Sequence, residues 1–420
     1  MATQVPEITF VVPGQALPSG QASITLNGTV KSAVGVGARR GGGETVRITA
    51  QPGDDVVVLH IANGPTLYLH PEDALELLRA QVNAVPTLAR GSGVQPAIDG
   101  EVMVPAQLGW RGLDAAAATR GRIGNWLGEV WVDAVEIVTG LFKDRAVNLV
   151  AAAATKKLDG QVDPGVYKLL PDELPKLKGS GNKLSKVPKA ADGGPILVMV
   201  HGTFVDTAST FGKLWSLHSA RVRALFQHYG GRVYALDHPT VGASPFANAL
   251  TLAETLPQGA RLHLVTHLRG GIIAEVLARL GGGQGLRPED LRLFNDDDYK
   301  QHRADLEALG KLVKAQQLHV ERVVRVACPA RGTLLASRRL DACLSVLKWG
   351  LELAGLPVVP ELVDFLSEVA RRRADPAELP GLEAMMPGRP VAKWLNAPAE
   401  PVPGDLRVVS GDTVSSTWTR

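Results

Sequence analysis

The segment Arg261-Leu-His-Leu-Val-Thr-His-Leu-Arg-Gly-Gly-Ile-Ile-Ala-Glu-Val-Leu-Ala-Arg279 constrains this chain more than any other. It reads as a buried strand, a sharp turn and a helix, with Gly270 and Gly271 small enough to let the helix approach the strand. Strand-to-helix turns of this kind hold a serine nucleophile in the pattern G-x-S-x-G. Here the pattern falls on Thr266, His267, Leu268, Arg269 and Gly270, and its central residue is leucine. Leucine has neither a lone pair nor an ionisable proton, so it cannot attack a carbonyl. The scaffold points to serine-hydrolase chemistry while the central side chain points away from it.

The surroundings of this turn predict a layered α/β architecture. Strands are expected at 195–200, 232–236, 261–266, 321–327 and 406–410, and helices at 209–227, 248–256, 269–280, 340–353 and 361–372. Near-continuous apolar strands alternating with helices imply a mostly parallel sheet covered on both faces. Residues 281–320, with Asn295-Asp-Asp-Asp-Tyr299, read as a charged surface insertion, with a calcium loop as the alternative.

His201-Gly-Thr-Phe204 follows the first of these strands, where a glycine-bearing turn can donate a backbone N–H to an oxyanion. The second donor would be the N–H of Arg269, next to the nucleophile position. His201, Gly202, Thr203, Phe204, His267, Arg269, Gly270 and Gly271 are therefore the expected pocket residues. The triad order in such enzymes is serine, acid, histidine. Asp412 follows the strand at 406–410 and is the candidate acid, but no histidine follows His319. The strand and helix that would carry the triad histidine are expected to be absent. Two alternate nucleophiles remain open. Ser244 is expected either to cap a loop or to face the cleft, and Cys328 either to pack as a small hydrophobe or to react. His267 is expected beneath the turn.

Outside this region the sequence is less informative. Short β-branched runs at 8–12, 23–27, 45–49, 56–61 and 66–69, separated by glycine and proline, predict an N-terminal β-rich module. A helix opens at Pro71. Residues 110–160 read as helical. The expected division is a module at 1–110, a helical connector at 111–175, an exposed mobile linker at 176–194 and the α/β domain at 195–420. His60 and His70 read as strand-face and turn residues rather than a metal pair, and Arg371–Arg373 as a solvated helix end. No metal or cofactor motif stands out. A net charge of +3 is too small to argue for nucleic acid, and two cysteines point to a reducing cytoplasm. No stretch of roughly 20 apolar residues predicts a transmembrane helix.

The runs Val200-His-Gly-Thr-Phe204, Asp237-His-Pro-Thr240, Leu264-Val-Thr-His-Leu-Arg-Gly-Gly271, Arg325-Val-Ala-Cys-Pro-Ala-Arg-Gly-Thr333 and Gly381-Leu-Glu-Ala-Met-Met-Pro387 together resemble a bacterial lipase-like α/β-hydrolase family. Members of that family are sometimes found with a caspase-like CHAT peptidase domain. The resemblance covers roughly 195–412 and implies T-H-S-R-G-G at the elbow, which places a serine at position 268. It implies an α/β-hydrolase-like sheet and an esterase or lipase scaffold whose nucleophile is lost here. The alternatives are a non-catalytic module binding an acyl-ester or lipid-like ligand or a protein partner, and a residual acyl-ester hydrolase using another nucleophile.

Overall fold

The computed structural model describes residues 6–18, 28–37, 44–62, 64–84, 100–109, 129–140, 150–282, 285–328, 379–386, 388–397 and 404–409, with Ser345, Lys348, Glu352, Leu362, Leu366, Val369 and Ala370. The chain divides into two compact units. One comprises residues 1–155 and 333–375, the other 156–332 and 376–420.

The first unit is built on an eight-stranded sheet. Its strands are β1 (Ile8–Ala16), β2 (Thr29–Val36), β3 (Thr45–Ala50), β4 (Val56–Ile61), β5 (Thr66–Leu69), β6 (Glu101–Met103), β7 (Gln107–Gly109) and β8 (Glu129–Thr139). The order is β3-β1-β2-β8-β4-β5, with β6 on β1 and β7 on β8. Every pairing except β1 with β6 is antiparallel. The hairpin of β4 and β5 shows why: His60 pairs with Thr66, and so short a loop can join only antiparallel strands. Phe10, Val12, Leu59, Leu69 and Ile137 make the core with Leu78 of α1 (Pro71–Ala84). Residues 129–139 were expected in a helix and instead form the strand between β2 and β4. His60 Nε2 lies 3.2 Å from the buried Glu136 carboxylate, and His70 Nδ1 accepts from the N–H of Glu72. Tyr68 N–H donates to Ser345 Oγ at 3.0 Å, linking β5 to Ser345 of the same unit.

The second unit holds a seven-stranded sheet of β9 (Gly165–Lys168), β10 (Lys183–Leu184), β11 (Ile196–Val200), β12 (Val233–Asp237), β13 (Arg261–His267), β14 (His319–Val326) and β15 (Asp405–Val409). Its order is β10-β9-β12-β11-β13-β14-β15. The run from β12 to β15 is parallel, whereas β9 pairs antiparallel with both β12 and β10. The helices are α2 (Val150–Asp159), α3 (Thr207–Leu217), α4 (Ser219–His228), α5 (Pro245–Thr255), α6 (Gly270–Gly281), α7 (Lys300–Gln316), α8 (Pro380–Glu383) and α9 (Pro390–Asn396). Phe246, Phe294, His302 and Trp394 interlock among them, with ring centroids 5.4–6.4 Å apart along the chain of contacts.

The expected fold class is corrected. One sheet is antiparallel in all but one pairing and the other is mixed, so the chain is not a parallel-sheet α/β-hydrolase. The parallel reading came from apolar runs that alternate with helices. It missed β9 and β10, which pair antiparallel with each other across residues 169–182. The expected mobile linker is likewise anchored: Leu177 and Val187 are buried, and Val187 N–H donates to Thr255 O at 2.8 Å. In the acidic insertion, 3-10 turns at 290–294 and 297–299 bury Phe294 and Tyr299. No group of three metal-ligating side chains occurs among the described residues. Nor is any described helix long and apolar enough to cross a membrane.

Candidate functional site

Leu268 follows β13 and precedes Arg269, the N-cap of α6, with φ 46, a left-handed conformation that costs a leucine about 1–2 kcal/mol. Two neighbouring strands end in the same way. Phe204 (φ 62) closes the turn after β11, and Ala327 (φ 51) follows β14. The remaining described non-glycine residue with positive φ, Gln317, is an ordinary left-handed helix cap. Backbone strain therefore gathers at the carboxyl ends of three adjacent strands, the edge where sheets of this kind take ligands. Main-chain bonds hold it there: Leu268 N–H donates to Val326 O, and Ala327 N–H to Val409 O, each at 2.9 Å.

The glycines of this corner are set by contact distance. A Cβ on Gly270 would lie 2.5 Å from Val200 O and 2.7 Å from His201 O, so β11 and α6 touch only because position 270 has no side chain. On Gly271 it would meet Cys328 Sγ at 2.3 Å. On Gly202 it would lie 2.9 Å from both His267 Nδ1 and Leu268 Cβ, and 3.1 Å from Leu268 Cδ1. The Gly202 turn, His267 and Leu268 thus converge, and the half-buried leucine lies across the turn expected to donate to an oxyanion. The N–H groups of Arg269 and Gly270 open α6, where the helical pattern supplies no partner.

The imidazoles around this corner are held neutral. His201 is fully buried; its Nδ1 meets Gly202 O at 2.9 Å and its Nε2 accepts from His238 N–H at 3.1 Å. These two bonds fix the tautomer with the proton on Nδ1. The His201 and His238 rings stack 4.0 Å apart. Burial lowers the pKa of both, and burial raises that of Asp237, whose carboxylate accepts from Thr207 and lies 3.7 Å from His201 Nε2. His201 therefore braces the turn from a fully buried position. Burial, then the nearby His201, drives His267 down to about 4. Its Nδ1 has no hydrogen-bond partner among the described residues.

Arg269 does more than its main chain suggested. Its guanidinium is fully buried and donates to the carbonyls of Gly381, Pro239 and Ala243. Burial brings its pKa down to about 10 against the opposing charge of Asp159. It thereby clamps the 239–243 loop and α8 against the elbow. Thr203 reaches the same segment through Met385 Sδ at 3.5 Å, and Phe204 N–H donates to Thr240 Oγ1.

The alternate nucleophiles are placed elsewhere in chemistry. Ser244 is the N-cap of α5: its Oγ accepts from Ala247 N–H at 3.1 Å and approaches Asp305 rather than an imidazole. Cys328 lies beside Gly271, and burial pushes its thiol up to about 12, against activation. Asp412 lies outside the described residues. The structure thus brings together Gly202, Thr203, Phe204, His267, Leu268, Arg269, Gly270 and Gly271, with Cys328 at the margin. The sequence reading missed Asp159, which lies 110 positions before Arg269 and carries no local motif, and the carbonyl clamp made by the Arg269 side chain. A family model described as "Domain of unknown function (DUF7379)" matches residues 173–292 and 302–418, more than half of the chain. No curated protein matches it.

Proposed function

We propose that this chain, which belongs to the family of the domain of unknown function DUF7379, is a catalytically silent relative of serine esterases and lipases. In this reading the elbow is kept as a binding feature and its nucleophile is gone. The observation that carries it is the left-handed Leu268 between β13 and α6. Nothing in leucine's chemistry uses that strained turn, whereas a serine there would be lifted to the tip of a strand. Ser244, committed to a helix cap, and Cys328, a protonated thiol, offer no substitute.

An acyl-ester or lipid-like ligand suits an elbow topped by an apolar side chain, and docking of a protein is the other binding mode open to such a module. A cytoplasmic setting fits a chain with two cysteines. The test is hydrolysis of p-nitrophenyl acyl esters followed through successive purification steps. The expected result is that any turnover separates from the protein. Turnover that stays constant per mole of this chain at every step would overturn the reading.

A further inference from the structure

The loop after β12 carries a second constellation, distinct from the elbow. Three successive backbone N–H groups converge on one carboxylate: Thr240 and Val241 donate to Asp159 Oδ1 at 2.8 and 3.0 Å, and Gly242 donates to Oδ2 at 2.7 Å. Consecutive main-chain N–H groups turned to one point make an anion-binding concavity. Here both oxygens of a single carboxylate fill it. The same loop is gripped from its other side, because Arg269 takes the carbonyls of Pro239 and Ala243, which flank the three donors. The guanidinium also places a buried positive charge near the carboxylate, without a direct bond between them.

Asp159 is not part of the loop it holds. It is the last residue of α2, some eighty positions earlier, and the division between the two units falls inside that helix at Thr155 and Lys156. Val241 is buried while Gly242 is exposed, so the concavity has one open side.

We propose that the Thr240–Gly242 loop is an anion-binding site whose resident ligand is the Asp159 carboxylate, and that a small carboxylate takes its place when that side chain is withdrawn. The ligand class follows from the donors. Three N–H groups and a nearby guanidinium, with no acceptor among them, select a planar oxyanion over a neutral group or a cation. Occupancy matters to the elbow because the loop is held by Arg269, the residue after Leu268. Emptying the site leaves three donors unsatisfied next to a buried cation, and the loop then loosens at the elbow.

The experiment is amide hydrogen exchange on the full chain, comparing native protein with Asp159→Ala and Asp159→Asn, in sodium formate and in sodium chloride at about 0.1 M each so that screening is equal. In chloride, the amides of Thr240, Val241 and Gly242 are expected to exchange about tenfold or more faster in Asp159→Ala than in the native chain, with Asp159→Asn between them. Formate is expected to restore most of that protection in Asp159→Ala and to leave the native protein unchanged. If Asp159→Ala does not fold in chloride, the same idea predicts recovery of soluble protein on refolding in formate. Unchanged exchange in the alanine variant, equal recovery in chloride and formate, or no recovery in either, would overturn the proposal. No catalytic readout is involved, so failure here is separable from failure of the ester-hydrolysis test.

Discussion

Leu268 joins an apolar side chain to a backbone conformation that leucine disfavours. The side chain lies across Gly202, while φ 46 carries the cost of a left-handed residue. These two effects can be separated by substitution. Leu268→Ala removes the apolar contact and keeps the strain; Leu268→Gly removes both. Glycine is therefore expected to be more stable than alanine here by about 1 kcal/mol, the reverse of its usual standing. Urea midpoints of the two variants check this, and an alanine variant as stable as the glycine one would mean that the turn relaxes. At this scale the sequence was legible where a residue's neighbours announce its place. Leucine at 268 stands out because strand, turn and Gly270-Gly271 frame it. The Arg269 side chain did not stand out, since its three carbonyl partners come from positions 239, 243 and 381 and no local pattern joins them.

At the scale of elements, β11, β13 and α6 form one object, and its tolerance is set by two adjacent glycines. A methyl group at position 270 collides with main-chain oxygens of β11, which cannot move without shifting the strand. At position 271 it collides with the Cys328 side chain, which has some freedom. Gly270→Ala is expected to destabilise by more than about 2 kcal/mol and Gly271→Ala by less, with denaturant unfolding as the measure. The opposite ranking would mean that the thiol, not the strand, limits the approach. Strand, turn and helix were readable here because Leu262, Leu264, Val265 and Leu268 precede a glycine pair and an amphipathic run follows. β8 was not: Glu129-Val-Trp-Val-Asp-Ala-Val-Glu-Ile-Val-Thr139 puts apolar groups on both faces, which blurs a period of two, and its central Glu136 is buried beside His60 rather than solvated. Pairing direction was equally hidden. It depends on which strands meet, and the antiparallel β9 and β10 are only four and two residues long, too short to show as strands.

The whole molecule carries several imidazoles that burial holds below their ordinary pKa: His201, His238, His267 and His302, with His267 near 4. In the unfolded chain these groups take protons at about pH 6.5, and in the folded chain only at lower pH. Between pH 6.5 and 4 the unfolded state therefore binds more protons, so stability falls as the solution is acidified. Asp237, raised by burial, acts in the opposite sense: its contribution is lost as pH rises through its folded pKa. The histidines outnumber it, and the melting temperature is expected to drop from pH 7 to pH 5. His267→Phe is expected to flatten that drop by an amount on the order of 2 kcal/mol at the acid end. An unchanged slope in this variant would place the sensitivity elsewhere.

Interleaving of the units, with 333–375 belonging to the first and 376–420 to the second, also lay beyond sequence reading, because it rests on contacts such as Tyr68 with Ser345 across 277 positions. The central claim, an elbow kept without its nucleophile, is tested most directly by intact-mass analysis after incubation with a fluorophosphonate probe. The account predicts the unmodified mass of the chain. A single stoichiometric adduct, mapped to Ser244 or any other serine, would contradict it and mark an activated nucleophile that this structure does not place at the elbow.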